Sequence, residues 1–211
     1  MKELKYSAVM FDLLTALLDS WTVWAEVAGD DATAKKWRLK YLHLTYGQGE
    51  YRPYEELVSL AAKETGLPQS YADKLVENWK NIKPWAEVKE VLSELKKHVP
   101  LAVVTNCSEV LGFQAAALCG EKFDVVVTSE RAGFYKPNPT PYKLAIQELG
   151  IEPKKILYVS GSAFDIPGAT SVGMDVYWHN RIGMVKPVEV PEPAVITTSL
   201  LPLKEFIWKD E

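Results

Sequence analysis

Four stretches of the chain set chemistry-bearing residues directly beyond short apolar runs. Asp12 follows Val9-Met10-Phe11, and Thr105-Asn106 closes the run from Leu101. Lys136 sits in a loop beyond Val125 to Thr128, just before Pro137. Ser160, Ser162 and Asp165 follow the run from Ile156. A carboxylate can attack as a nucleophile or take a proton, an ammonium can orient it, and amides and hydroxyls supply hydrogen bonds. Each residue alone has a plainer reading. Ser, Thr and Asn at such places commonly cap helices or form turns, and Lys-Pro reads as a turn. All four in one order, each at the end of an apolar run, are far less common by chance.

The elements that must position them follow from hydrophobic patterning. Ser7 to Phe11, Leu101 to Thr105, Val125 to Thr128, Ile156 to Ser160 and Val176 to Trp178 read as short buried strands, with Ala194 to Thr197 as a sixth. Between them, apolar spacing of three and four marks helices, as in Val88, Val91, Leu92 and Leu95, or Tyr142, Leu144, Ala145 and Leu149. Such alternation predicts an α/β fold: a Rossmann-like, mostly parallel sheet covered by helices. In such sheets ligands bind at the carboxyl ends of the strands, where all four polar groups fall. From about Ser20 to Lys83 no strand is evident, only helical patterning rich in Trp and Tyr. The expected organisation is a core of residues 1–15 and 90–211 with an inserted helical cap of residues 16–89. A cap hinged there would close the crevice against water. Most of its aromatics are expected to form its own core.

Bulk composition narrows the function classes. The 211 residues are 47% hydrophobic and 25% charged, with net charge −4. That composition fits a globular chain and supplies no basic footprint for nucleic acid. No run has the length of a membrane span, and the apolar N-terminal run, broken by Asp12, reads as a strand rather than a leader. The two cysteines, Cys107 and Cys119, suggest reduced thiols and a cytoplasmic setting. His43, His98 and His179 show no metal-ligand spacing and read as structural or surface residues.

Val9-Met10-Phe11-Asp12, Val104-Thr105-Asn106, Lys136-Pro137 and Ser160 to Asp165 resemble, in order, the four motifs of the haloacid dehalogenase superfamily. Most of that superfamily are phosphatases, with a second aspartate two residues after the nucleophile and another in the fourth motif for magnesium. Here those places hold Leu14 and Gly161. Magnesium calls for a hard oxygen shell, usually with several carboxylates, so this pattern disfavours a metal-dependent phosphatase. The closer resemblance is to the L-2-haloacid dehalogenases, through Trp37-Arg38-Leu39-Lys40, the Lys136 to Tyr142 spacing, Ser160 to Asp165 followed by Gly168-Ala169, and Asn180-Arg181.

That resemblance implies hydrolytic dehalogenation of short 2-haloacids, with no metal and no cofactor. Asp12 would displace halide and form an ester that water then cleaves. Halide leaves as a stable anion and needs no acid, which suits Leu14. Lys136 would orient Asp12, Asp165 would activate water, and Arg38 would close on the anion from the cap. Without the resemblance, Arg38 reads as an exposed helical arginine and Asp165 as a helix N-terminal carboxylate. Asn106 would meet halide or substrate carboxylate, Thr105, Ser160 and Ser162 would donate hydrogen bonds, and Tyr142 would support the Asp12–Lys136 pair. Leu14, Phe164 and Tyr54 would form apolar walls, with Leu14, in place of an aromatic, opening the pocket. Thr15 stands one residue before the family's hydroxyl, which predicts one missing contact to Asp12. The implied partners are a haloacid and halide, with no nucleic acid and no membrane, and a homodimer is left open. An unusual phosphatase, or a weakly active or non-catalytic member, are the alternative readings.

Overall fold

The computed structural model describes residues 2–209. Its first strand, β1 (Ala8–Phe11), is buried at every position, as the apolar run demands of a strand covered on both faces. The chain then pairs β2 (Leu18–Asp19) with β3 (Lys83–Pro84) in a short antiparallel ribbon. Between them lie four helices: α1 (Ser20–Ala28), α2 (Asp31–Gln48), α3 (Tyr54–Glu64) and α4 (Ser70–Glu77). After α5 (Val88–Leu95) come β4 (Leu101–Thr105), α6 (Glu109–Leu118), β5 (Val125–Thr128), α7 (Ser129–Ala132) and α8 (Pro139–Leu149). The last elements are β6 (Ile156–Ser160), α9 (Ile166–Ser171), β7 (Asp175–His179), β8 (Val195–Thr197) and α10 (Leu203–Phe206).

The main sheet runs β5-β4-β1-β6-β7-β8, and every pairing within it is parallel. β1 lies between β4 and β6, with Phe11 opposite Val103 on one side and Val159 on the other. From β1 the strand order runs outward in both directions, so the crevice beyond its carboxyl end is the topological switch point. Asp12 is the first residue past that end.

The helical segment between β2 and β3 has an aromatic core. Trp24 packs on Trp37 at 4.4 Å and on Tyr41 at 5.4 Å, and Tyr54 packs on Tyr41 and Trp79 at 5.2 and 5.5 Å. Two of its buried indoles find backbone acceptors: Trp37 Nε1 donates to the Val58 carbonyl at 3.1 Å, and Trp79 Nε1 to that of Leu111 at 2.9 Å. The Asp30 side chain caps α2 through the Thr33 amide at 2.8 Å, and α2 ends before Gly49 at positive φ.

The helical reading of Ser20 to Lys83 needs one correction, because Lys83-Pro84 is a strand. Two residues carry no alternation to read. Their pairing follows from the chain entering and leaving the helical insert side by side, and the Trp85 amide extends it to the Leu17 carbonyl at 3.0 Å. A second tie joins the insert to the core at Glu50 and Phe134, just ahead of Lys136.

Candidate active site

Asp12 leaves β1 into a tight loop whose backbone turns back on its carboxylate. The amides of Thr15 and Ala16 donate to Oδ2 at 3.3 and 3.2 Å, while Lys136 Nζ donates to Oδ1 at 2.9 Å. Lys136 is 1% exposed, and its three ammonium hydrogens have three acceptors. These are Asp12 Oδ1, the Tyr158 hydroxyl at 3.0 Å and Asp165 Oδ2 at 3.1 Å. Burial works against that charge. The two carboxylates outweigh it and hold the Lys136 pKa above its ordinary value.

Asp165 is fully buried at the start of α9. Its Oδ2 takes the Lys136 ammonium and the Tyr158 hydroxyl, the latter at 3.3 Å, and its Oδ1 accepts from the Tyr46 hydroxyl at 3.1 Å. Burial pushes its carboxyl up to about 6, with Lys136 opposing and the charge of Asp12 adding to the rise. A carboxyl in that range suits proton abstraction near neutrality.

Arg38 comes from α2 and is 3% exposed, so the reading of an exposed helical arginine fails. Its guanidinium stacks on the Trp21 ring at 4.0 Å, and Nη2 donates to Ser20 Oγ at 2.8 Å and Thr15 Oγ1 at 3.2 Å. Burial lowers its pKa to about 10, which leaves it charged at neutrality. Among the described residues, Nε and Nη1 of Arg38, Nε1 of Trp21 and Oγ1 of Thr105 find no partner despite their burial. Buried donors are seldom left so, and a charged one costs most.

These groups surround a cavity of about 40 Å³, walled by Asp12, Leu14, Thr15, Trp21, Arg38, Tyr41, Leu42, Tyr46, Thr105, Asn106, Lys136, Ser162, Ile182 and Met184. That is room for roughly two or three water molecules. The structure thus brings together most of the residues expected from the sequence and corrects several. Leu14 lines the cavity, together with Trp21, Tyr46 and Met184. Thr15 Oγ1 faces Arg38 instead of Asp12, and backbone amides make the contacts to Asp12. The Asn106 amide is engaged with protein: Oδ1 accepts from the Lys136 amide at 2.7 Å and Ser129 Oγ at 2.9 Å, and Nδ2 donates to the Lys136 carbonyl at 3.1 Å. It fixes the lysine's backbone.

Five expected residues stand outside the wall, Asp165 among them. Tyr142 donates to the Asp165 carbonyl at 3.3 Å, and Tyr158 instead supports the Asp12–Lys136 pair. Ser160 Oγ bonds the Ser162 carbonyl within its own turn. Phe164 packs outside on Tyr46 at 5.3 Å and is 38% exposed. Tyr54 belongs to the aromatic core of the insert. Tyr46, Tyr158, Trp21, Ile182 and Met184 were not foreseen. One signal was available for Tyr46: Arg38, Tyr41, Leu42 and Tyr46 follow i, i+3, i+4, i+8 spacing on one helix, and all four line the cavity.

The donor set does not suit a magnesium ion. Among the described residues no group of three or more His, Cys, Asp or Glu could hold a metal. The fourth-motif position expected to carry another carboxylate is Gly161, and a Cβ there would lie 2.3 Å from the Ala16 amide nitrogen and 2.6 Å from the Thr15 carbonyl carbon. The loop that wraps Asp12 thus occupies the space a carboxylate at 161 would need.

His179 is buried behind the same loop, with Nδ1 2.8 Å from the Ala16 carbonyl oxygen. Both cysteines are buried and free. No helix among the described residues is long and apolar enough to cross a membrane.

Comparison with known proteins agrees with this geometry. The family model described as haloacid dehalogenase-like hydrolase matches residues 9–179. Haloacetate dehalogenase H-2 of Moraxella sp. (strain B) is 29% identical over 202 residues, spanning 85% of this chain and 88% of that protein. (S)-2-haloacid dehalogenase 2 of Pseudomonas sp. (strain CBS-3) is 29% identical over 201 residues, spanning 82% and 83%. The L-2-haloacid dehalogenase of Xanthobacter autotrophicus, solved with chloropropionic acid covalently bound, superposes with a TM-score of 0.83 at 20% identity, over 96% of this chain and 98% of that one. This last likeness is one of fold.

Proposed function

The chain belongs to the haloacid dehalogenase-like hydrolases, and we propose that it hydrolyses short 2-haloalkanoic acids to 2-hydroxy acids without a metal. The observation that carries this reading is the setting of Asp12: a carboxylate braced by one ammonium and two backbone amides, facing a very small cavity roofed by a buried arginine with spare donors. Asp12 attacks C2, the carbon–halogen bond breaks, and halide departs with its electron pair. The resulting ester on Asp12 is opened by water at the Asp12 carbonyl carbon.

Each neighbour has a part. Lys136 and the Thr15 and Ala16 amides fix the attack geometry, an orientation effect that can dominate such a step. Arg38, through Nε and Nη1, receives the substrate's carboxylate or the leaving halide. Asp165 is the base for hydrolysis. No side chain needs to protonate the leaving group, in keeping with Leu14 where a phosphatase carries its acid. Residues 16–89 serve as a cap domain on a core of residues 1–15 and 90–211, and the cap seals the cavity during the reaction. The small cavity favours haloacetates and 2-halopropionates over longer chains.

A chelator-treated screen tests the reading. Chloroacetate and L-2-chloropropionate should release halide in EDTA at the rate seen without it. Phosphate release from small phosphomonoesters that requires magnesium, with no halide release from any short haloacid, would replace this reading with a phosphatase.

A further inference from the structure

Asp165 is placed to be the base for ester hydrolysis, yet it does not reach the cavity. It is fully buried and absent from the wall, while Asp12, whose ester must be attacked, lies in it. Two residues of the wall touch the Asp165 carboxylate: Lys136 on Oδ2 at 3.1 Å and Tyr46 on Oδ1 at 3.1 Å. A protonated lysine has three donors and no lone pair, so it cannot receive a proton from water. Lys136 already spends all three donors on Asp12, Tyr158 and Asp165. A tyrosine hydroxyl has both a donor and an acceptor. Tyr158 also bonds Asp165, at 3.3 Å, but does not line the cavity.

We infer that Tyr46 is a catalytic proton relay between the hydrolytic water and Asp165. Water in the cavity gives a proton to Tyr46 Oη as the Tyr46 hydroxyl passes its own proton to Asp165 Oδ1. The oxygen of that water adds to the Asp12 ester carbon. When the tetrahedral adduct collapses, its bond to the substrate oxygen breaks, and the departing alkoxide regains a proton from Asp165 along the same path. Asp12 is left as a carboxylic acid that loses its proton to solvent, which balances the released halide. Tyr46 stays neutral throughout: desolvation, with the Asp165 and Asp12 charges adding to it, holds its pKa well above the ordinary value. Because Tyr46 comes from α2, the base is connected to the cavity only when the helical insert is seated on the core.

This inference rests on the ester mechanism proposed above, and one experiment separates the two. Wild type, Tyr46→Phe and Asp165→Asn are each mixed with chloroacetate, with halide followed by rapid quench and the intact protein weighed. Tyr46→Phe should release one equivalent of halide rapidly, then slow about 100-fold in turnover, with an adduct on Asp12. Asp165→Asn should trap the same adduct. Tyr46→Phe turning over within twofold of wild type while Asp165→Asn accumulates adduct would overturn the relay and leave the ester mechanism standing. No adduct on Asp12 in either variant would overturn both. A second readout uses wild type alone. Hydrolysis in mixtures of light and heavy water should give a bowed dependence from two protons in flight, and a straight line would contradict the relay.

Discussion

The floor of the cavity, supplied by the strand ends, differs sharply from its roof, supplied by the helical insert. On the floor, Asp12, Lys136 and Asn106, with Asp165 buried behind them, satisfy one another almost completely. On the roof, Arg38 keeps two buried donors and Trp21 one without partners. A saturated floor cannot rearrange cheaply, so the atoms proposed to react would already be in place when substrate arrives. A roof with spare donors is costly alone and recovers that cost when an anion enters. In the proposed reaction the floor would supply the nucleophile and the groups that hold it, and the roof would bind the anion, close the cavity and, through Tyr46, link Asp165 to it.

Lys136→Met breaks the floor most severely. It strands two buried carboxylates beside each other without their cation, and stability should fall by about 3–5 kcal/mol in denaturant titration at pH 7. The loss should shrink on acidification. A carboxylate whose folded pKa exceeds its unfolded one stabilises the fold at low pH, and that stabilisation disappears as pH rises through the folded value. Equal stability to wild type at pH 7 would mean the floor is not the tightly coupled unit described here.

Arg38→Lys tests the roof. The charge survives and the planar fork does not, so kcat/KM for chloroacetate should drop about 10- to 100-fold, in line with the loss of one or two charge-assisted hydrogen bonds. Unchanged kinetics would remove Arg38 from the anion site.

The floor was largely legible in the sequence, and of the roof only Arg38 was, through the family resemblance. Central strands of a parallel sheet must be apolar throughout, so a polar residue at the end of such a run stands out, as Asp12 and Asn106 do. Tyr158 was hidden because it lies within a strand, where a buried tyrosine looks like packing. Trp21 and Tyr46 were hidden among the aromatics of the insert, most of which do form its core. Ile182 and Met184 lie in a loop whose course depends on tertiary contacts: Asn180 braces it through the Met184 amide at 2.7 Å and the Met184 carbonyl at 2.9 Å.

A pH series separates the two halves by step. With Asp165 held at about 6 by burial, ester hydrolysis should fall below about pH 6, as the base becomes protonated. Single-turnover halide release should fall less steeply, because Asp165 takes no part in the displacement. Identical acid limbs for both steps would argue against a base confined to hydrolysis.

Thr105→Val is the smallest expected change and probes the one loose group on the floor. Its hydroxyl is buried and unpartnered. Replacement with a near-isostere should alter stability by less than about 1 kcal/mol, since no protein hydrogen bond is lost. A higher KM with unchanged kcat would assign the hydroxyl to substrate binding. A loss above 2 kcal/mol, read by denaturant titration, would show that it is bonded in the folded state after all.

In the proposed reaction Asp12 carries the substrate as an ester. Single turnover in water enriched in oxygen-18, with enzyme in excess over chloroacetate, tests it directly. Heavy oxygen is expected in the Asp12 carboxylate, located by peptide mass spectrometry, and light oxygen in the glycolate product. Heavy oxygen in glycolate with Asp12 unlabelled would mean that water attacks the substrate itself, and would contradict it.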